Sequence, residues 1–464
     1  MVFNSLKAIY SLLKCHPKKT LLDIPIAHYG VDSRRVEPGE LFFAIRGNQV
    51  DPHEHLAEVS QKGAVAAVVE EGFRGEIEGL PLIRTPSPLK ALQELAKARV
   101  SSVHPTVVGI TGSVGKTTTK EWLRQLIGNT ETTYISPANN NSQIGMPLAI
   151  LNGLKTNHRL MVQEMGLSLP EELPKLVEIA PPSLAIITAI DYAHFGNFGS
   201  LEKICEAKSA ILTHSVTQRG IVPHKWLSRI VQYARNDLPL MTTSLTSPSA
   251  DLFLEAARDS LAVHSSTHPL FHLPLPPTIP YGNIYECLAA ALAAALELGI
   301  PIPQLIERLP HLKTPSGRLT VTSSRGIEWI DGTYNASYPS MLEALRHLKS
   351  PGKADRPPHR RIAVIGEMPE LGHKSHELTR HAIDCALESA DTVFCIGEIM
   401  GTVAKELDKE RNIKTHLKIC SDMQELITSL SSHLREGDRV MVKGANKLKL
   451  WQVIEAFCEK EEER

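Results

Sequence analysis

The sequence predicts an α/β protein of three domains, and three observations carry that expectation. Its 464 residues leave room for about three domains at ~150 residues each. From Val107 onward, short apolar runs alternate with helical stretches, and the alternation restarts beyond residue 315, the pattern of sheets whose parallel strands are covered by helices. Between the first of those strands and its helix lies a glycine-rich turn, GITGSVGKTTTK, from Gly109 to Lys120.

The elements follow in order. Gly39–Ile45 and Gly63–Val69 read as short strands, Arg84–Pro88 interrupts the pattern, and Leu89–Val100 spaces its apolar residues as a linking helix. Leu160–Val162, Leu184–Thr188 and Gly220–Val222 are the next strand candidates. Thr242–Pro280, rich in Ser, Thr and Pro, reads as hairpin or loop, and Ile284–Leu298 as a helix. A boundary falls near Thr314–Gly317, after which Glu328–Ile330, Ile362–Ile365, Val393–Ile396 and Val440–Val442 are strands. The expected domains are therefore 1–84, 85–314 and 315–464. The charged tail Glu459–Arg464 reads as a solvated end.

Composition narrows the function classes. A net charge of −1 offers no basic field for nucleic acid. Seven cysteines without a C-x-x-C pair point to a reducing compartment rather than a disulfide framework, so a cytoplasmic protein is expected. Leu6–Leu13 reads as an amphipathic helix, and Leu288–Ile300 is too short to cross a bilayer, so no membrane insertion is expected.

The glycine-rich turn carries the chemistry. Gly112 and Gly115 let backbone N–H groups of Ser113, Val114 and their neighbours approach phosphate oxygens that a Cβ would obstruct. Lys116 would reach the β- and γ-phosphates, and the Thr117 hydroxyl would face a magnesium ion, with Thr111 and Thr118 flanking the loop. The strict G-x-x-x-x-G-K-S/T pattern fails at one place, where Ile110 stands for the first glycine. An ATP site is the expectation. Glu164, ending an apolar strand, is either a magnesium-side acid or a strand-end acid facing solvent. His194 follows another buried strand and is either structural or a metal ligand; Lys208 by itself is a surface lysine on a helix.

Together these pieces resemble the Mur ligase family of ATP-dependent amide-forming enzymes. Thr111-Gly112-x-x-Gly115-Lys116-Thr117 looks like that family's phosphate loop, and Glu164, His194 and Lys208 follow in its order. The resemblance implies a lysine at 208 carbamylated by carbon dioxide and, with Thr117, Glu164 and His194, two magnesium ions. It implies an N-terminal domain for a uridine nucleotide (Ser33 and Arg34 in VDSR), a central ATPase domain, and a Rossmann-like C-terminal domain. Asn139 and Asn141 match the family's asparagine segment. Asn283 matches a nucleotide-side helix start, Arg318 a phosphate-reaching hinge arginine, and Asp331 a ribose contact. The blocks Asp331–Met341, with Tyr334 and Asn335, and Ile365–Gly372, with His381 beyond, look most like the branch that adds D-alanyl-D-alanine to UDP-N-acetylmuramoyl-tripeptide. Both substrates are small molecules, and a monomer is expected. Ser142, Gly282, Glu286, Gly332, Ala445 and Asn446 depart from the usual pattern around the nucleotide and substrate. Two other readings fit the phosphate loop: a sister ligase adding another amino acid, and a regulatory ATPase that switches shape without amide synthesis.

Overall fold

The structure is a computed structural model and describes residues 5–15, 24–47, 50–257, 260–276, 279, 282–350, 359–413 and 416–458; the charged tail lies outside these. Three sheets follow one another along the chain.

The first is four parallel strands in sequential order: β1 (His28–Gly30), β2 (Glu40–Phe43), β3 (Ala66–Glu70) and β4 (Leu82–Thr85). β2 is buried along its whole length because both faces are covered, so its sequence reads as a continuous apolar run. β1 and β4 went unread in the sequence, since HYG and LIRT carry too few apolar residues to announce a strand.

The second sheet uses β5 (Thr106–Thr111), β6 (Thr133–Ile135), β7 (Leu160–Glu164), β8 (Leu184–Ile187), β9 (Arg219–Pro223), β10 (Leu240–Ser244), β11 (Leu252–Ala256), β12 (Ser260–Ser265) and β13 (Phe271–Pro274). Their spatial order is β13-β12-β11-β10-β9-β8-β5-β7-β6. All neighbours are parallel except the β11-β12-β13 edge, where the Ser/Thr/Pro-rich interval forms antiparallel hairpins. β5 lies between β7 and β8, and the connections leave it toward opposite sides. That reversal opens a crevice at the carboxyl ends of these strands.

The third sheet uses β14 (Thr320–Ser324), β15 (Ile327–Gly332), β16 (Arg361–Gly366), β17 (Thr392–Ile396), β18 (Leu417–Cys420) and β19 (Arg439–Lys443), in the order β14-β15-β19-β16-β17-β18, with only β14 antiparallel. Separate apolar cores cover its two faces. A single core, by contrast, runs from the first sheet into the second through the linking helix Pro88–Val103, reaching from Leu6 to Leu238. Tyr29 strengthens that junction: its N–H donates to Asn152 Oδ1 at 3.0 Å and its carbonyl accepts from Asn152 Nδ2 at 2.9 Å. The third sheet touches the second more sparsely, through Gly196 on Gly372 and the edge-on rings of Tyr192 and Tyr338. No helix among the described residues is long and apolar enough to cross a membrane.

Candidate functional site

Three strand ends of the second sheet converge. β5 runs into the glycine-rich turn, and the helix Lys116–Ile127 starts immediately after it. Gly112 has φ +150°, and a Cβ there would sit 2.0 Å from Thr188 Oγ1; at Gly115, with φ +86°, it would sit 2.5 Å from Cys287 Sγ. Only glycine fits both places. The turn is held from β8's end: Thr188 Oγ1 donates to the Val114 carbonyl at 2.5 Å, and Ser113 N–H donates to the Ala189 carbonyl at 2.8 Å. Ser113 Oγ also donates to the Asp191 carbonyl at 2.9 Å. Thr111 and Thr118 are buried beside the turn, and the Thr111 hydroxyl has no partner among the described residues. Lys116 folds over the turn, donating to the Gly112 carbonyl at 2.7 Å. Burial pushes its ammonium below the ordinary lysine range, Glu164 opposes that shift, and Arg318 adds to it.

Glu164 faces inward, not to solvent. It ends β7 level with Ile110 of β5 and is 2% exposed. One carboxylate oxygen accepts from Thr117 Oγ1 at 2.7 Å and the other from Asn141 Nδ2 at 2.6 Å. A hydroxyl and a carboxylate side by side, beneath a glycine turn and the N-terminus of a helix, suit a magnesium ion carrying nucleotide phosphates. Lys208, on the helix Leu201–Ser209, is likewise 2% exposed, unlike an ordinary surface lysine. Burial pushes its ammonium well below the usual range, and the Lys116 charge pushes it further. His194 has φ +55° and turns its ring to Glu370, beyond β16, whose carboxylate it holds below the usual range. It therefore reaches across to the third sheet. Among the described residues no three His, Cys, Asp or Glu side chains gather as a metal cluster.

The third sheet brings its own strand ends to the crevice. Arg318, at the hinge, lies 4.1 Å from the centre of the Tyr334 ring. Asp331, ending β15, accepts from the Thr333 N–H at 2.9 Å and its hydroxyl at 2.6 Å, so the carboxylate shapes the turn that follows. Asn335 Oδ1 accepts from Asn446 N–H at 3.3 Å, and Asn446 Nδ2 donates to the Tyr334 carbonyl at 2.9 Å. A cavity of about 290 Å³ lies between the two sheets, lined by Thr117, Glu121, Ala138, Ser316, Arg318 and Tyr334 among others.

Other expected residues stand apart. Asn283 bonds through its side chain and N–H to Glu343 of the third domain. His381 Nδ1 lies 2.9 Å from the Tyr338 hydroxyl. Asn139 is exposed on the loop after β6. Ser33 and Arg34 belong to the first sheet's domain; Arg34 pairs with Asp32 at 2.8 Å, and the Ser33 carbonyl accepts from Lys62 at 2.8 Å. Two lysines given no role from the sequence also enter. Lys120 is buried behind Glu164. Lys443, ending β19, donates to the Asn335 carbonyl at 2.8 Å, its ammonium pushed down to about 7 by burial and by Arg318. A lysine inside an apolar strand such as RVMVK was the available signal for it.

Comparison with known proteins matches this architecture domain by domain. The description "Mur ligase family, catalytic domain" matches residues 25–100, "Mur ligase middle domain" residues 110–294, and "Mur ligase, glutamate ligase domain" residues 317–446. The UDP-N-acetylmuramoyl-tripeptide–D-alanyl-D-alanine ligase of Bacillus subtilis is 26% identical, with 99% of each chain covered. That of Treponema pallidum is 29% identical, with 93% of each covered. Among solved structures, MurF from Acinetobacter baumannii is 26% identical with a TM-score of 0.84, covering 97% of each chain. MurF from Thermotoga maritima, in complex with ADP, is also 26% identical, with a TM-score of 0.77, covering 94% of this chain and 98% of that one. Matched across all three sheets in chain order, and overlaid on solved structures along nearly its whole length, the chain belongs to the Mur ligase family.

Proposed function

We infer that this chain forms an amide bond at the expense of ATP, joining D-alanyl-D-alanine to UDP-N-acetylmuramoyl-tripeptide and releasing ADP and phosphate. The observation that carries this reading is the full-length likeness to ligases of that name, joined to a phosphate turn whose Thr117 and Glu164 meet under the crevice. A peptide carboxylate is a poor electrophile. Its oxygen attacks the γ-phosphorus of ATP, the bond to the ADP oxygen breaks, and an acyl phosphate results. The dipeptide's amine then attacks the acyl carbon, loses a proton, and expels phosphate. Positioning and charge neutralisation do most of such work. Here Lys116 and the turn's N–H groups hold the phosphates, and Arg318 approaches from the hinge.

Magnesium suits the Thr117 hydroxyl and Glu164 carboxylate, and would supply charge neutralisation at the phosphate oxygens. Lys208 is the residue to carry a carbamate: burial shifts its ammonium toward the neutral amine, the form that adds to carbon dioxide, and the product is an acid able to serve a second ion. His194 would join that set once released from Glu370. The first domain would take the uridine end near Ser33 and Arg34, with Asn139 and Asn141 along the sugar-peptide. Asn283 and Asp331 would lie at the nucleoside, and Tyr334, Asn335 and His381 toward the dipeptide. We place the domain limits at 1–84, 85–314 and 315–464, and take the enzyme to act as a cytoplasmic monomer.

The decisive experiment supplies ATP, magnesium, D-alanyl-D-alanine and UDP-N-acetylmuramoyl-tripeptides carrying lysine or diaminopimelate. The pentapeptide product should appear by mass, with phosphate release requiring both acceptor and donor. Equal phosphate release with the sugar-peptide omitted would overturn the reading in favour of a switch ATPase.

A further inference from the structure

The loop between β6 and the helix Gly145–Gly153 is bound from below by one side chain. Lys120 lies one helical turn beyond Lys116 and is 0% exposed. Its Nζ donates to the carbonyls of Ser136 and Ala138, each at 2.7 Å. The same ammonium lies 3.5 Å from Glu121 Oε1 and 3.9 Å from Glu164 Oε2. Its three N–H groups therefore meet two carbonyls and the Glu121 carboxylate, all that an ammonium can satisfy, while the Glu164 carboxylate balances its charge from slightly farther off. Ala138 has φ +46°, a left-handed backbone that a residue with a Cβ adopts only when its surroundings hold it there.

The held loop reaches Glu164 by three routes. Glu164 N–H donates to Ser136 Oγ at 3.1 Å, Gln163 Nε2 donates to the Asn140 carbonyl at 3.3 Å, and Asn141 Nδ2 caps the free carboxylate oxygen. Ala138 and Thr117 also line the same cavity.

We propose that Lys120 is a positioning residue: it clamps the strained 136–141 loop to the phosphate-turn helix, and so sets the orientation of Glu164 toward the cation together with that of Asn139 and Asn141 toward the donor substrate. A buried lysine serving only stability would be replaceable by an apolar side chain of similar length without selective effect. One serving as a clamp is not, because without it Ala138 relaxes, Asn141 leaves the carboxylate, and Glu164 loses the partner that fixes its rotamer. The donor half of the inference rests on the ligase reading; the cation half does not.

The test uses the full chain with Lys120→Met and, as the variant that returns amide donors without charge, Lys120→Gln. Calorimetry follows ADP binding at saturating magnesium, the magnesium concentration that half-promotes ADP binding, and binding of UDP-N-acetylmuramoyl-tripeptide. Expected for Lys120→Met is ADP affinity within twofold of the parent at saturating magnesium, with the magnesium midpoint and the donor dissociation constant each raised about tenfold, the equivalent of ~1.4 kcal/mol. Lys120→Gln should recover part of both losses, and its selective loss carries the test should Lys120→Met not fold. An unshifted magnesium midpoint, or ADP, magnesium and donor affinities falling by the same factor, overturns the inference. A parent protein that never binds the sugar-peptide would count against the ligase reading alone, since the magnesium titration needs no donor.

Discussion

The charge of Lys116 disfavours a second one on Lys208, whose side chain is removed from water. Two ammonium groups near one site, one of them buried, are costly unless phosphates, carboxylates or a change of chemical state offset them. For Lys116 the phosphates of ATP supply the offset. For Lys208 the proposed carbamate would put an anion in place of the second cation. Lys208→Ala should therefore lower turnover by ~10²-fold or more, the scale of removing one charge-stabilising group from an active site, and a short-chain carboxylate added to the assay should restore part of it. Turnover of Lys208→Ala equal to the parent's would remove the carbamate from the mechanism. The residue scale was also the least legible in the sequence. Lys208 reads as a helix-surface lysine, and Lys120 as one more polar residue after the glycine turn, because burial of either depends on segments far away in the chain.

The helix Tyr338–Lys349 illustrates how one element carries a pH dependence. It packs His347 against β19, where the imidazole is buried beside Arg439. Burial, and then the guanidinium, push the histidine down to about 4, so the folded protein holds it neutral. The unfolded chain takes up the proton first as pH falls below the ordinary value of about 6.5, and stability is lost from there down to about pH 4. By pH 5 the loss from this group amounts to ~2 kcal/mol. Denaturant melts at pH 7.5 and pH 5 should therefore show His347→Gln losing about that much less than the parent between the two conditions. An identical loss in both proteins would show that this imidazole charges without cost. Elements themselves were largely readable. The strands β5, β7, β8, β16, β17 and β19 announce themselves as apolar runs because both sheet faces are covered. Short or edge strands such as β1, β14 and β18 do not, since half-polar sequences like TVTSS and LKIC fit loops equally well.

The whole molecule is two unequal bodies. The first and second sheets share a core, whereas the third meets the second at a tight backbone contact and a few side chains. Gly196 N–H donates to the Glu370 carbonyl at 2.8 Å, and a Cβ on Gly372, which has φ +58°, would stand 2.5 Å from Gly196 Cα. Glycines on both sides let the domains approach at a place beside His194 and Glu370, next to the expected cation residues. Exclusion of water from an acyl phosphate asks for such closeness. Gly372→Ala should wedge the contact open, enlarging the radius seen by X-ray scattering and cutting product formation by ~10²-fold, the cost of about an ångström of misplacement, while thermal unfolding of the joined first and second domains stays near the parent's. Unaltered scattering and turnover would show that the approach of these glycines is incidental.

The phosphate turn, the order of the three α/β units and the family likeness were properties of the sequence by itself, because each rests on local spacing: a glycine pair before Lys-Thr, and apolar periodicities of two and of 3.6 residues. Only the tertiary structure decided that Glu164 points inward to Thr117 and Asn141, that Lys120 binds a loop sixteen to eighteen residues away, and that His194 reaches Glu370. The physical reason is that a side chain's charge, exposure and partner depend on which distant segments exclude water from it, and spacing along the chain does not carry that information.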